Sequence, residues 1–391
     1  MKQAVVLAAG EGQRLRPFTV TRPKAMISIA DRPILQFIIE SLALNGIRDI
    51  IFVVGYRKEQ VYDYMGSGEK FGVKIAYVTQ ETQLGTAHAL SQVREMVGNE
   101  FLVLPGDNLI EAPTIADFVD IEPQAVLVKR VKSPSTYGVV KMESGEVKQI
   151  VEKPKEAGSN LVNTGIYVFN RDIFKYTESV LDIPDALNNM IAEGYSIKAQ
   201  ETDRTWLDVA YPWDIITLNN AILQNIEAGL GGTIEDGAVV KGKVVIGEDT
   251  VIRTGSCIYG PAVIGSGCEI GPQACIMPST SIGDNVAISS FTQIRNSVIG
   301  NDVILGPGCF ISDSIIDKGC VIKGKFTALG GQSDVRVNDV SPSINIGVIM
   351  GEGCKVESDV TVQPGAIIGN YSQIQISKML SGRFPDKSLV Y

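Results

Sequence analysis

The residues best suited to chemistry lie near the N-terminus. Ala9-Gly10-Glu11-Gly12-Gln13-Arg14-Leu15-Arg16 is followed closely by Arg22-Pro23-Lys24, so two glycines precede a cluster of cations. Glycine lets backbone N–H groups come close to phosphate oxygens. Arginine and lysine then neutralise the anion, and the guanidinium fork can grip two oxygens at once. A bare Gly-x-Gly could also open a dinucleotide site, but the third glycine of that pattern is missing here. A solvated basic loop is the plainer alternative. It fits less well, because this chain is acidic and the cations follow directly on a strand and a glycine turn.

The whole chain has 391 residues, with 35 Lys plus Arg against 44 Asp plus Glu, for a net charge of −9. Such a balance lacks the broad positive field of a nucleic-acid binder, so phosphate must be met by local cations. There is one histidine, His88, which removes whole classes of mechanism, and its place on a predicted helix favours packing over catalysis. The six cysteines all follow residue 250 and form no C-x-x-C pair, so neither a zinc site nor a disulfide framework is predicted. No segment approaches the roughly 20 apolar residues of a membrane span. Ala4–Ala9 is too short for a secretory signal, and a cytoplasmic enzyme is the expectation.

The elements that would position these cations alternate. Ala4–Leu7, Ile50–Val54, Val73–Val78 and Phe101–Leu104 read as buried strands. Ile34–Leu44, Thr86–Val97 and, more weakly, Lys58–Met65 carry helical spacing. This alternation predicts an α/β unit with a Rossmann-like, mostly parallel sheet, whose ligand sits beyond the C-terminal strand ends. Two strands run into informative residues there: the glycine turn, and Pro105-Gly106-Asp107-Asn108. Residues 1–226 are assigned to this domain, and the glycine-rich stretch 227–233 reads as a linker.

Beyond residue 233 the period becomes six. Aliphatic residues recur at Ile234, Val240, Ile246, Ile252, Ile258, Ile264, Ile270, Ile276, Ile282, Ile288 and Ile294. After single-residue slips they resume through Ile299, Leu305, Ile311, Ile316 and Ile322, and again from Met350 to Ile374. This is the hexapeptide repeat of a parallel β-helix, predicted for residues 234–378 with a tail at 379–391. Three units make one triangular coil with the aliphatic side chains stacked inside. Cys268, Cys309, Cys320 and Cys354 sit two places before a repeat aliphatic and read as small core fillers. Residues 325–343 have no phase and are predicted to leave the coil as a loop.

The N-terminal motif G-x-G-x-R-x-x-P-x-T…P-K, from Gly10 to Lys24, resembles the sugar-1-phosphate nucleotidylyltransferases. The resemblance continues in order through Gln80, Leu84-Gly85-Thr86-Ala87, Pro105-Gly106-Asp107-Asn108, Tyr137-Gly138, Glu152-Lys153-Pro154, Asn163-Thr164-Gly165 and Trp206-Leu207-Asp208. With the hexapeptide tail, the chain is similar to archaeal and bacterial two-domain members such as the bifunctional N-acetylglucosamine-1-phosphate uridylyltransferases, and to glucose-1-phosphate thymidylyltransferases. In proteins of this kind the coil is left-handed. Singly, each residue has a plain reading: Asp107 a turn acceptor, Lys153 a surface lysine, Asp208 a helix cap, Gln80 a surface amide. Their joint order favours the resemblance.

The resemblance implies a Mg²⁺-dependent enzyme that condenses UTP or dTTP with glucose-1-phosphate or N-acetylglucosamine-1-phosphate and releases pyrophosphate. Arg14, Lys24 and Lys153 would be catalytic. Ala9, Gly10, Gly12, Gln80, Gly85, Thr86 and Asp107 would bind the nucleotide, and Gly138, Glu152, Asn163 and Thr164 the sugar. Asp107 and Asp208 would hold the metal. Synthesis of ADP-glucose or GDP-mannose, and a non-catalytic sensor subunit, are the competing readings. No nucleic acid or membrane is implied as partner, and a homotrimer or higher homo-oligomer would form through the β-helix. Bifunctional relatives use a histidine there for acetyl transfer. Here the aligned position falls near Pro307, so the coil is predicted to serve mainly for assembly or for binding a regulator.

Overall fold

The computed structural model describes residues 2–337 and 342–391. The chain forms two compact units. One comprises Met1–Glu11, Arg22–Met26 and Ile34–Asp208, and the other Gly12–Thr21, Ile27–Pro33 and Val209–Tyr391. Among the described residues no helix is long and apolar enough to cross a membrane.

The first unit is built on a nine-stranded sheet. Strands β1 (Gln3–Ala8), β2 (Asp49–Val54), β3 (Lys74–Thr79) and β4 (Glu100–Pro105) run parallel in the order β3-β2-β1-β4. Their apolar runs are continuous rather than alternating. Val5, Val6, Ile50, Phe52, Leu102 and Val103 are all fully buried, as strands covered on both faces require. Parallel neighbours need crossovers, which α1 (Ile34–Leu44), α2 (Lys58–Met65) and α3 (Thr86–Ser91) provide. The helix expected over Thr86–Val97 stops being α-helical at Ser91. It tightens into turns such as Met96 N–H to Val93 O at 2.9 Å.

Beyond β4 the expectation of a mostly parallel sheet needs correction. The remaining strands are β5 (Asn108–Ile110), β6 (Ala125–Arg130), β7 (Gly138–Glu143), β8 (Glu146–Glu152), β9 (Leu161–Asn170), β10 (Lys198–Glu201) and β11 (Trp206–Asp208). The sheet continues β4-β9-β6-β10-β8-β7, with β9 antiparallel to both β4 and β6. The cause is local. β7 and β8 are joined by Ser144-Gly145, both left-handed with φ of 53° and 82°, a two-residue turn that permits only an antiparallel hairpin. The sheet is therefore mixed.

The second unit is dominated by a left-handed parallel β-helix with three sheets of nine, nine and eight strands. Each strand pairs with the one three units on, as in Val245↔Val263, and the slip shows directly where Ile282 pairs with Ile299. Ile246, Ile264, Ile282, Ile299, Ile316, Met350 and Ile368 stack in one inward column and are buried. The four inward cysteines are buried too, and Cys268 and Cys309 donate to the carbonyls of Gly283 and Gly306 at 3.1 and 3.2 Å. Burial pushes both of these thiols up, which suits filler rather than reactive cysteine.

The coil is longer than the repeat suggests. Gly229–Leu230, inside the expected linker, already pairs as a first strand, and the strand Thr233–Ile234 straddles the expected start of the coil. Met379–Leu380, Arg383–Phe384 and Leu389–Val390, in the expected tail, close the three sheets. The excursion also begins later than expected. Thr327–Ala328 is still a coil strand, and a hairpin of Gly331–Asp334 with Ser343–Ile346 follows. The predicted loop's residues 338–341 lie outside the described residues.

Two further pieces belong to this unit. The hairpin Ser28–Ile29/Arg32–Pro33 and helix α4 (Asp214–Gln224) are tied through fully buried Asn219, which accepts from Ala30 N–H and donates to Ser279 O, both at 3.2 Å. The loop Gly12–Thr21 is the other addition, with Leu15, Phe18 and Thr19 buried.

Candidate active site

At the C-terminal ends of β1 and β4 a cavity of about 360 Å³ opens, where an α/β sheet is expected to take its ligand. Ala9, Gly10, Gln80, Gly85, Thr86 and Asp107 line it, together with Gln83 and Tyr167. A β-carbon on Gly10 would meet no atom within 4 Å. The glycine is thus not demanded by packing and leaves room for an occupant. Gly85 is demanded: its φ is 144° and a β-carbon would lie 2.4 Å from Leu181 O. Thr86 begins α3 there, and its backbone N–H and hydroxyl both donate to Asp182 Oδ1, at 3.0 and 3.1 Å.

Two acids far apart in sequence converge through a small ribbon. β5 pairs antiparallel with β11 and sets Asn108 opposite Asp208, so Asp107 and Asp208 share one end. Lys24, in the turn Lys24–Met26, bridges them: its ammonium is ion-paired with Asp107 and lies 3.2 Å from Asp208 Oδ1. Burial lowers the Lys24 pKa, but the two carboxylates outweigh it and the net displacement is upward. The two carboxylates already converge on one cationic atom. Among the described residues no group of three His, Cys, Asp or Glu side chains forms a metal cage. Two carboxylates without a third ligand match Mg²⁺, which keeps waters and adds substrate phosphates.

Gln80 is 3% exposed. Its Nε2 donates to Gly85 O at 3.1 Å and lies 2.9 Å from His88 Nδ1. With Nδ1 as acceptor, both amide hydrogens are engaged, and Oε1 is what the side chain can offer a ligand. His88 therefore orients a site residue. The clue in the sequence is its position on the helix after Gly85, which brings the ring back toward the end of β3.

The residues expected on the sugar side also gather, with one exception. Gly138 faces Glu152 and Asn163, since a β-carbon there would lie 2.9 Å from Glu152 Oε2 and 3.6 Å from Asn163 Cβ. Asn163 donates to Tyr167 OH at 2.7 Å and accepts from Gly165 N–H at 2.9 Å, which links the cluster to the cavity wall. Burial raises the Tyr167 phenol, so it stays a neutral donor. Lys153 directly follows β8 with φ of 43°, and its ammonium is 3.0 Å from Glu152 Oε1. A left-handed lysine is strained, a feature that concentrates at functional sites. Thr164 is the exception. Its hydroxyl points into the core and donates to Leu127 O at 2.7 Å, so the chain fold uses it rather than the cavity.

Gly12 and Arg14 belong to the other compact unit. Gly12, with φ of 71°, begins the turn Gln13–Leu15. Exposed Arg14 holds its guanidinium 5.5 Å from the Tyr211 ring centroid, and Tyr211 stacks on Trp213 at 4.8 Å. The aromatic pair that follows Asp208 thus orders an arginine.

A mixed α/β sheet with a glycine turn, paired acids and a lysine at its strand ends defines a phosphate-handling enzyme class. Comparison with known proteins narrows it. Residues 3–225 match the Nucleotidyl transferase family, and residues 258–341 match the GMPPB C-terminal domain. A protein named Bifunctional protein GlmU from Methanococcus maripaludis is 35% identical over 99% of this chain and 97% of its own. The Bifunctional sugar-1-phosphate nucleotidylyltransferase/acetyltransferase of Sulfurisphaera tokodaii is 32% identical over 95% of each chain. A solved Bacillus anthracis protein, provisionally named a glucose-1-phosphate thymidylyltransferase and bound to sucrose, is 29% identical with a TM-score of 0.53. That match covers 58% of this chain and 97% of the other. The chain belongs to the nucleotidyl transferase family.

Proposed function

We propose that this protein joins a uridine or thymidine triphosphate to a hexose-1-phosphate, glucose-1-phosphate or its N-acetylglucosamine counterpart, and releases pyrophosphate. The observation that carries the reading is the convergence of Asp107 and Asp208 on one cation beside a cavity at the strand ends. The reaction must bring two phosphates together. Two unit charges 4 Å apart repel by about 4 kcal/mol at an effective dielectric of 20, so neutralisation and positioning supply most of the catalysis.

Asp107 and Asp208 are the residues that would hold Mg²⁺, whose charge would offset that of the α-phosphate. Lys24, released from the acids, would move to the triphosphate, and Arg14 would grip the leaving pyrophosphate. Lys153 would hold the sugar phosphate for in-line attack. That phosphate is already ionised near neutral pH, so no general base is needed and the lone histidine is free to orient Gln80. Gln80 Oε1 pairs with the N3–H of uracil or thymine, whereas adenine presents a bare ring nitrogen at the matching edge. Gly138, Glu152 and Asn163 would receive the sugar hydroxyls.

The match of residues 258–341 to the GMPPB C-terminal domain concerns the β-helix, not the base pocket, and keeps GTP with mannose-1-phosphate in the test panel. The β-helix contains no histidine, since the only one is His88. Our reading gives it no histidine-dependent acetyl transfer and an assembly role, as a homotrimer or higher oligomer. The test is pyrophosphate release with four triphosphates against glucose-1-phosphate, N-acetylglucosamine-1-phosphate and mannose-1-phosphate. Turnover with UTP or dTTP is expected. Turnover confined to ATP or GTP, or with no pair at all, would overturn the reading.

A further inference from the structure

The loop Gly12–Thr21, which carries Arg14 and Arg16, is packed within the β-helical unit. The contacts are specific. Asn370 Nδ2 donates to Pro17 O at 3.0 Å, and Thr21 Oγ1 donates to Glu352 Oε2 at 2.8 Å. Both coil residues are buried, Asn370 to 1% and Glu352 to 6% exposure.

Coil architecture accounts for only part of this. At the same corner of several coils a side chain accepts the backbone N–H of the coil before it, although Lys318 N–H turns to Asp317 Oδ1 instead. Asp284 receives Ser266 N–H at 2.7 Å, Asn301 receives Asp284 N–H at 3.2 Å, and Asn370 receives Glu352 N–H at 2.9 Å. Asp284 and Asn301 do this half-exposed. Asn370 is buried, and its Nδ2 donates to Asp386 Oδ1 at 3.1 Å within the coil and also to Pro17 O in the loop, a bond which the corner does not require. Glu352 is odder still. A buried carboxylate is costly unless bonded and paired, and here it accepts from Thr21 and Tyr371 hydroxyls with the Lys318 ammonium 3.6 Å away. A corner needing only a ladder acceptor has no use for that construction.

We infer that Asn370 and Glu352, on the last coils of the β-helix, are positioning residues for nucleotidylyl transfer that fix the arginine loop through Pro17 and Thr21. This rests on the reading that Arg14 meets the triphosphate. Because Asn370 and Glu352 act through the loop they hold, their effect falls on nucleotide KM and not on sugar-phosphate KM.

The test measures both KM values in the full-length protein for Asn370→Ala, Glu352→Ala, Glu352→Gln and Thr21→Val, with Arg14→Ala as reference. Losing one buried hydrogen bond corresponds to about a tenfold change. Thr21→Val, which removes one such bond to Glu352, is expected to raise nucleotide KM about tenfold, and Asn370→Ala and Glu352→Ala, which each remove more contacts, at least as much, all three leaving sugar-phosphate KM within about twofold. Glu352→Gln keeps an acceptor for Thr21 and should restore near-native KM. The double variant Thr21→Val with Glu352→Ala should be no worse than the poorer single one. Glu357→Ala, which breaks an exposed ion pair with Lys323 at 2.7 Å, should change nothing. Should Asn370→Ala fail to fold, Thr21→Val still reads the contact from the loop side. Unchanged KM in these variants alongside an impaired Arg14→Ala overturns the positioning role alone. An unimpaired Arg14→Ala removes the reading of Arg14, and the positioning role with it.

Discussion

The ends of β1, β4 and β11 and the interior of the β-helix solve opposite problems with the same chain. Around the cavity, each side chain is different and has a distinct partner: Lys24 with two acids, Gln80 with His88, Glu152 against Gly138. Inside the coil, one aliphatic position is copied rung after rung, and each copy touches its own kind. In the first region a single change removes a function. In the second it removes a share of packing energy that neighbouring rungs can absorb. Chemistry here depends on unlike residues converging, and scaffold on like residues repeating.

That contrast can be broken by experiment. The largest effect belongs to Asp107→Ala, which should lower metal-dependent pyrophosphate release by about a thousandfold or more with circular dichroism unchanged. In the coil, Ile264→Ala should cost about 2–5 kcal/mol of stability, read by denaturant melting, while turnover per folded molecule is kept. A loss of activity larger than the loss of folded protein would erase the distinction between the regions. Gln80→Leu removes the acceptor and should cut kcat/KM for UTP or dTTP about tenfold or more and flatten base preference in a competition assay.

The smallest effect lies where the hairpin 28–33 meets the coil within one unit. Burial, then the Asp284 charge, raise the Asp31 carboxyl to about 7, with Arg32 opposing. A folded-state pKa above the unfolded value means that the folded state binds the extra proton between about pH 4 and 7. Stability from this group is therefore full below about pH 4 and falls as pH rises through 7. Asp31→Asn should melt a few degrees higher than the native protein at pH 8, with the gap closing toward pH 4. A constant gap would mean that Asp31 does not titrate as its surroundings dictate.

The two regions were also unequally legible in the sequence. The six-residue period shows in the bare chain because every coil repeats it, and the inward cysteines fall in their place. Its ends were not legible. Leu230 and Val390 pair in register with Ile246 and Ile374, but the six-residue spacing breaks near them, with four residues from Leu230 to Ile234 and from Leu380 to Phe384. In the catalytic unit, Asp107 and Asp208 were visible as motif residues, yet the ribbon that unites them depends on pairing across a long stretch of chain. The hydroxyl of Thr164 turned inward because β9 alternates its faces, which a motif does not record. The membership of Gly12–Thr21 in the β-helical unit was invisible, because Pro17 and Asn370 meet across almost the whole sequence. His88 was legible only by its rarity and its place on the helix after Gly85, while its role lies in one hydrogen bond to Gln80.

The central claim is that Asp107 and Asp208 together hold one divalent cation with the nucleotide. Mn²⁺ binding followed by electron paramagnetic resonance in the presence of UTP or dTTP tests it most directly. The native protein should bind Mn²⁺ tightly, and both Asp107→Asn and Asp208→Asn should weaken that binding by about tenfold or more. Native affinity retained in either variant would contradict the account.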